Sequence, residues 1–241
     1  METRAKAAKK FHAPQGDGKP SEFKLEAVYM HTDAAGGNLS LWPRHALSQV
    51  PKGGRLYILY PNVLRQWIGE LCERRGWDET EYYRRPSESL QPGRLEGQEC
   101  GDCCINPFVS HVDNKLGSCR LTMNKGDDEG KDENGNTIWV GYWQIVPLPD
   151  SKHSRRWPIK ESGYFHEVSF HRLIALACCS KAKWKLMGEG AIVLHRCGDK
   201  RCVRPAHLQV GTKEINKEDH DFHSIGNNSM RYHLREAIDT Y

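Results

Sequence analysis

The stretch that decides the fold is Leu194–Asn216, which reads L-H-R-C-G-D-K-R-C-V-R-P-A-H-L-Q-V-G-T-K-E-I-N. Within it, Cys197, Cys202 and His207 follow the spacing C-x4-C-x4-H. Two thiols and one imidazole this close in sequence can supply three ligands of a tetrahedral zinc site. The spacing suits a loop wrapped around a metal, because Pro205 prevents a helix from continuing through it. The stretch therefore predicts a zinc-binding loop.

Two further polar residues flank this loop. His195 follows the apolar run Ala191–Leu194, which predicts a short buried strand. Thr212 can cap a helix that places Asn216 in its second turn. The predicted order is strand, zinc loop and helix, with a histidine at the end of the strand and an amide on the helix.

This arrangement resembles the ββα-metal (His-Me finger) nucleases, and most closely the His-Cys box homing endonucleases encoded in mobile introns. The broader HNH pattern H-x-C-x4-C-x-x-P-x-H-L-x-x-G-T-x-x-x-N fits the same residues. The resemblance implies an α+β fold with antiparallel sheets or hairpins, a zinc-stabilised ββα-metal core and peripheral helices. It also implies site-specific hydrolysis of double-stranded DNA, with structural Zn²⁺ and one catalytic Mg²⁺.

The resemblance also implies roles for individual residues. By position, His195 would be the general base and Asn216 the Mg²⁺ ligand. Arg156, which precedes a tryptophan, matches the arginine that contacts the scissile phosphate, and Arg155 is a close rival. In the family, a sheet upstream of the active site lies in the DNA major groove, and the protein acts as a homodimer.

The resemblance implies a complete zinc site, but the sequence leaves its fourth ligand open. The family takes this ligand from an upstream cysteine, and Cys119 matches best in context. The alternatives are Cys100, Cys103 and Cys104. The three nearer ligands would be Cys197, Cys202 and His207.

The chain departs from the family pattern at the position of a second zinc site. The family carries a cysteine-rich cluster after the position of Asn216, and this chain has no cysteine there. A second site would require His220 and His223 to join Cys100 and Cys103. The competing interpretation is that the upstream cysteines are packed free thiols.

Composition sets the context for these motifs. The chain has 241 residues, 38% hydrophobic and 27% charged, so we expect one large domain or one domain with appendages. We divide it into a disordered basic tail (1–24), an N-terminal α/β extension with a possible role in DNA contact (25–97) and the nuclease domain with its C-terminal tail (98–241). The net charge of +4 is compatible with nucleic-acid binding but is weak support for it.

The sequence also bears on location. No apolar run is long enough to predict a membrane span, and the N-terminus lacks the apolar core of a secretory signal. Nine cysteines without such a signal favour metal ligation in a reducing compartment. We expect a protein that is not secreted, nuclear in a eukaryote and cytoplasmic otherwise.

The remaining elements are predicted from periodicity. A strand is expected at 54–60, followed by a helix that Pro61 opens. A β-hairpin is expected from 117–123 and 137–146, with 127–136 as its solvated loop, and a core helix at 166–179. The candidate DNA-contacting side chains are Arg65, Arg74, Arg75 and Arg155, although a solvated surface is the more common role of such residues.

A second function class remains open. A zinc-dependent DNA- or RNA-binding module with a degenerate nuclease fold would need the zinc ligands but not His195 with Asn216. The presence of both residues in register with the zinc ligands favours the nuclease.

Overall fold

The computed structural model describes residues 25–77, 79, 82, 115–123, 127–131, 137–179, 181, 184 and 192–224. The predicted basic tail (1–24), the predicted domain boundary at residue 97 and Cys100, Cys103 and Cys104 lie outside these residues. None of the described helices is long and apolar enough to cross a membrane.

The N-terminal part of the chain forms a three-stranded antiparallel sheet in the order β2-β1-β3. The strands are β1 (Val28–Thr32), β2 (Leu39–Pro43) and β3 (Arg55–Leu59), which confirms the strand predicted at 54–60. Gly54 has a φ of +75° before β3, and a Cβ there would run into the backbone of Thr32. The turn into β3 therefore requires glycine.

Helix α1 (Pro61–Arg75) begins at the predicted proline, which occupies its first turn. It ends at Gly76 in the left-handed conformation that commonly terminates helices. The predicted apolar face is buried, and it consists of Leu64, Trp67, Ile68, Leu71 and Cys72, with Val63 packed beside them. This face fixes the N-terminal part of the chain against the rest of the molecule.

A second antiparallel sheet has the order β4-β5-β8-β9. It comprises β4 (Lys115–Leu116), β5 (Cys119–Met123), β8 (Trp143–Pro147) and β9 (Val168–Ser169). β5 pairs with β8, so the predicted pairing of 117–123 with the later part of 137–146 is confirmed.

Two details of the predicted hairpin were wrong. The second strand is interrupted at Gly141–Tyr142, which separates β7 (Thr137–Val140) from β8. The start of the expected loop forms β6 (Asp127–Lys131), which pairs with β7 in a separate hairpin. β7 does not pair with β5, so its backbone N–H and C=O groups need another partner. The acidic segment β6 supplies that partner by folding back on β7.

The predicted core helix starts later than expected, as α2 (Phe170–Cys178). The preceding residues are extended because tertiary contacts hold them. The ring of His166 bonds the Gly36 carbonyl, and the indole of Trp157 donates to the His166 carbonyl. Val168 and Ser169 then pair with β8. The predicted inner face is buried, as are both terminal cysteines, and it consists of Phe170, Leu173, Ile174 and Ala177.

The last described elements are the hairpin of β10 (Ile192–His195) and β11 (Leu208–Gly211), followed by α3 (Lys213–Ser224). One hydrophobic core includes residues of both larger sheets, of α1 and α2, and of the β10–β11 hairpin. In it, Trp67 of α1 meets Phe170 of α2 edge-on, with ring centroids 6.4 Å apart. The structure is thus α+β with antiparallel sheets, as the sequence predicted.

Candidate metal centre and active site

Three of the predicted zinc ligands meet in the loop between β10 and β11. The ligand atoms of Cys197, Cys202 and His207 all lie within 4.8 Å of one another, and all three residues are buried. The Cys202 sulfur lies 3.4 Å from Nδ1 of His207. Zinc bond lengths predict roughly 3.6 Å between such atoms across a tetrahedral angle. The donor set and its spacing therefore fit a zinc ion, with Nδ1 as the histidine ligand.

Backbone hydrogen bonds give the loop its shape. Gly198 has a φ of +74°, and its N–H donates to the carbonyl of His195 at 2.9 Å. The Asp199 carbonyl accepts from the N–H of Cys202, and the Asp199 carboxylate accepts from the N–H of Arg201. The two cysteines are thus placed by tight turns.

His195 lies at the end of β10, beside this loop. The Cys202 carbonyl accepts a hydrogen bond from its ring, while Nε2 has no hydrogen-bond partner among the described residues. The bond therefore involves Nδ1, and it fixes the tautomer that leaves a lone pair on Nε2. Burial lowers the pKa of His195 to about 4, although the nearby Cys202 and Asp199 act in the opposite direction. The ring is accordingly neutral near pH 7.

Two other rings pack against His195. The His171 ring on α2 lies 4.6 Å from it, and the Tyr142 ring lies 5.5 Å from it, between centroids. Burial, followed by the nearby His195 and Arg172, lowers the pKa of His171 well below its ordinary value. Tyr142 is the exposed member of this cluster, and it occupies the break between β7 and β8. Its position at that break explains why sequence alternation alone did not identify it as a site residue.

Asn216 is exposed in the second turn of α3, as predicted. Thr212 organises the start of this helix. Its hydroxyl accepts from the N–H of Ile215 at 3.4 Å, and its carbonyl accepts from the N–H of Asn216 at 3.1 Å. The helix follows β11 directly, so Asn216 and His195 belong to one continuous strand–loop–strand–helix unit.

Cys119 is not among the residues that the structure brings to the zinc cluster. It lies on β5 opposite Pro147 in the hydrophobic core, and burial raises its thiol pKa to about 12. The alternatives at 100, 103 and 104 lie outside the described residues, so the identity of the fourth ligand stays a prediction. Of the proposed second site, His220 is exposed on α3.

The predicted phosphate-contacting arginines lie at the surface. Arg155 and Arg156 are exposed in a short 3₁₀ helix (Ser154–Arg156), and the next residue, Trp157, anchors this helix in the core. On α1, Arg65 is exposed, and Arg74 lies 4.0 Å from Glu70. The side chain of Arg75 is outside the described part.

Sequence analysis missed the residues that brace the zinc loop from elsewhere in the chain. The hydroxyl of Tyr82 donates to the Val203 carbonyl at 2.7 Å, and the Arg204 guanidinium stacks 5.1 Å from the Trp77 ring centroid. It also missed the buried ion pair between Arg196 and Asp219. These partners are distant in sequence, so no local spacing could reveal them.

Part of the chain matches a known protein family. Residues 131–236 match the family described as the zinc-binding loop region of homing endonuclease. No curated protein and no solved structure matches the chain significantly. The matched region contains the Cys/Cys/His cluster, His195 and Asn216, and it confirms the resemblance that residues 194–216 predicted. Residues 131–236 are therefore similar to the zinc-binding loop region of homing endonucleases.

Proposed function

We propose that the protein is a Mg²⁺-dependent endonuclease that cuts double-stranded DNA at specific sites, with a zinc-stabilised ββα-metal core. The observation that carries this proposal is the hydrogen bonding and protonation of His195. Its Nδ1 is engaged by the Cys202 carbonyl, its Nε2 has no partner among the described residues, and its ring is neutral near pH 7. A neutral imidazole with a lone pair available is what a general base requires.

In this mechanism, Nε2 of His195 takes a proton from the water that attacks the scissile phosphorus. The new phosphorus–oxygen bond forms as the bond to the 3′-oxygen breaks, and solvent protonates the leaving oxygen. Arg156 holds a phosphate oxygen through its permanently charged guanidinium. Asn216 would hold Mg²⁺, whose contribution is to stabilise charge on the leaving oxygen.

The zinc would have a structural role, held by Cys197, Cys202, His207 and a fourth ligand. The loop between β10 and β11 contains short turns and one 3₁₀ helix (Pro205–His207), so metal ligation adds folding free energy to a segment with little regular secondary structure. It also fixes the Cys202 carbonyl that orients His195. Loss of zinc would therefore remove activity indirectly.

The sheet β4-β5-β8-β9 supplies a surface for DNA. Lys115 and Arg120 are paired neighbours on it and are exposed, and Gln144 lies on the adjacent strand β8 with partial exposure. Lysine, arginine and glutamine are the residue types that bond guanine and adenine edges in the major groove, which admits a β-ribbon. We assign target reading to this face, and cleavage of both strands to a homodimer of the intron-encoded type.

One observation favours the non-catalytic binding module instead. Nε2 of His195 is shielded from solvent in this conformation. Tyr142 is the exposed ring packed against His195, so we assign to it the movement that would let a phosphodiester and water reach Nε2. A protein in which Tyr142 stayed in place would bind DNA without cutting it.

Incubation with supercoiled plasmid separates the two functions. The nuclease converts plasmid to nicked and linear forms in Mg²⁺ but not in EDTA, and sequencing the ends locates the site. Retention of plasmid in a gel shift, without cleavage in Mg²⁺ or Mn²⁺, would identify the binding module.

A further inference from the structure

The side chains of Arg196 and Asp219 form an ion pair inside the protein. Nη1 of Arg196 lies 2.6 Å from a carboxylate oxygen of Asp219, and the two side chains are 0% and 6% exposed. Arg196 stands between His195 and Cys197, and its N–H donates to the His207 carbonyl at 2.9 Å. Asp219 lies on α3, three residues beyond Asn216. The pair thus joins the zinc loop to the helix that carries the proposed Mg²⁺ ligand.

Helix α3 buries few side chains between residues 213 and 221. Of the side chains between 213 and 221, only that of Asp219 is buried, and Ile215 is half-buried. Residues 213–221 therefore do not form the apolar stripe that usually fixes a surface helix to a core. Its attachment through these residues is electrostatic, apart from Ile215 and the Thr212 cap at its start.

A buried pair of this kind constrains geometry strongly. Either charge alone would be very unfavourable in the interior, so each partner holds the other at hydrogen-bonding distance. Residues three apart lie on neighbouring parts of a helix surface, about one turn along the axis. Fixing Asp219 therefore sets the rotation of α3 about its axis, and with it the direction in which Asn216 points.

We propose that the Arg196–Asp219 pair is the positioning device for Asn216: it locks α3 to the zinc loop in the rotation that presents the amide beside His195. This inference rests on the proposed nuclease function, because Asn216 has a ligand to hold only in that case. Arg196 and Asp219 are positioning residues, and neither touches the reacting atoms.

The test compares Asp219→Asn with Asp221→Asn in the full-length protein. Both changes remove one negative charge from α3, but Asp221 is exposed, so it is the matched control. Hydrogen exchange of the α3 amides should be about tenfold faster in Asp219→Asn, with wild-type zinc content, and unchanged in Asp221→Asn. Unchanged exchange in Asp219→Asn would overturn the lock.

A Mg²⁺ titration of single-turnover plasmid cleavage then tests positioning. The Mg²⁺ concentration for half-maximal rate should rise about tenfold in Asp219→Asn, with a smaller change in the rate at saturating Mg²⁺. If Asp219→Asn shows faster hydrogen exchange in α3 but needs the wild-type Mg²⁺ concentration for half-maximal rate, the pair holds α3 but does not position Asn216. If the wild-type protein does not cleave at all, the nuclease proposal fails, and hydrogen exchange still decides whether the lock exists.

Arg196→Lys provides the second variant, since it keeps both charges but loses the planar fork of donors. Arg196→Lys should retain zinc and, like Asp219→Asn, should need more Mg²⁺ than the wild-type protein for half-maximal cleavage rate. If both Arg196→Lys and Asp219→Asn lose zinc, the pair is part of the loop's own structure, and the positioning proposal is wrong.

Discussion

The environment of His195 determines the pH range in which it can act as a base. Burial lowers its pKa to about 4, so the ring is deprotonated throughout the neutral range. A base acts in its deprotonated form, so the rate falls only as pH drops through the folded-state pKa. The pH dependence of kcat/KM reports the pKa values of groups in the free enzyme. We therefore predict that it shows no titration of His195 between pH 6 and 8.

The alternative gives a different profile. A histidine with an ordinary pKa of about 6.5 would lower kcat/KM roughly fourfold between pH 8 and 6. Initial rates at limiting DNA and saturating Mg²⁺ distinguish the two cases. If the wild-type rate falls fourfold at pH 6 and the residual cleavage by His195→Ala does not, the neutral state of the ring is contradicted.

At the residue scale, the sequence predicted the zinc cluster but not its surroundings. Cys197, Cys202 and His207 were found from their spacing because all three belong to one short loop, whose turns depend on local residues such as Gly198. The contacts of Tyr142 and His171 with His195 depend on how three separate elements pack. No periodicity encodes such packing.

Helix α1 shows how an element outside the matched region supports the site. Trp67 is fully buried and contacts Phe170 at the start of α2, whose next residue is His171. We predict that Trp67→Ala lowers the free energy of unfolding by about 3–5 kcal/mol, since it opens a large cavity where α1 meets α2. Chemical denaturation measures this change.

Arg65→Ala is the control on the same helix, since its side chain is exposed. It should change the free energy of unfolding by no more than about 0.5 kcal/mol. If Trp67→Ala lowered the free energy of unfolding by as little as Arg65→Ala does, α1 would not be part of the common core.

Among the elements, those with a strong local signal were predicted and those with a tertiary origin were not. The apolar face of α1 and its terminal proline and glycine determined its limits. By contrast, α2 starts at Phe170 because the Gly36 and Trp157 contacts hold His166 in extended backbone. The strand Asp127–Lys131 has an acidic sequence with low strand propensity, and pairing with β7 overrides it.

At the scale of the whole molecule, the modest net charge of +4 makes the distribution of positive charge important. We predict that the N-terminal lysines bind DNA phosphates, so that replacing Lys6, Lys9 and Lys10 with glutamine weakens the salt dependence of binding. The slope of log K against log salt should become shallower by about 0.9 for each phosphate that is no longer neutralised. Fluorescence anisotropy at several salt concentrations measures it.

Single-turnover cleavage at saturating DNA should stay unchanged in this variant, because the tail has no role in the chemistry. A slope equal to that of the wild-type protein would mean that the lysines are solvated and bind no phosphate.

The proposed cleavage of both strands also makes a prediction for the assembly. A two-fold symmetric protein on a near-palindromic site places equivalent contacts on each half-site. We expect sedimentation velocity to show a dimer at micromolar concentration, with or without DNA. A monomer under both conditions would rule out the proposed pairing of two active sites.

We infer that His195 and the zinc cluster have separate roles, although His195 directly precedes the zinc loop. The most direct measurement determines zinc content and single-turnover cleavage together in His195→Ala and Cys202→Ser. We predict that His195→Ala keeps its zinc and fold while its rate falls by roughly 10²–10⁴, and that Cys202→Ser loses zinc, fold and activity together. Loss of zinc from His195→Ala, or cleavage by it at the wild-type rate, would contradict the account.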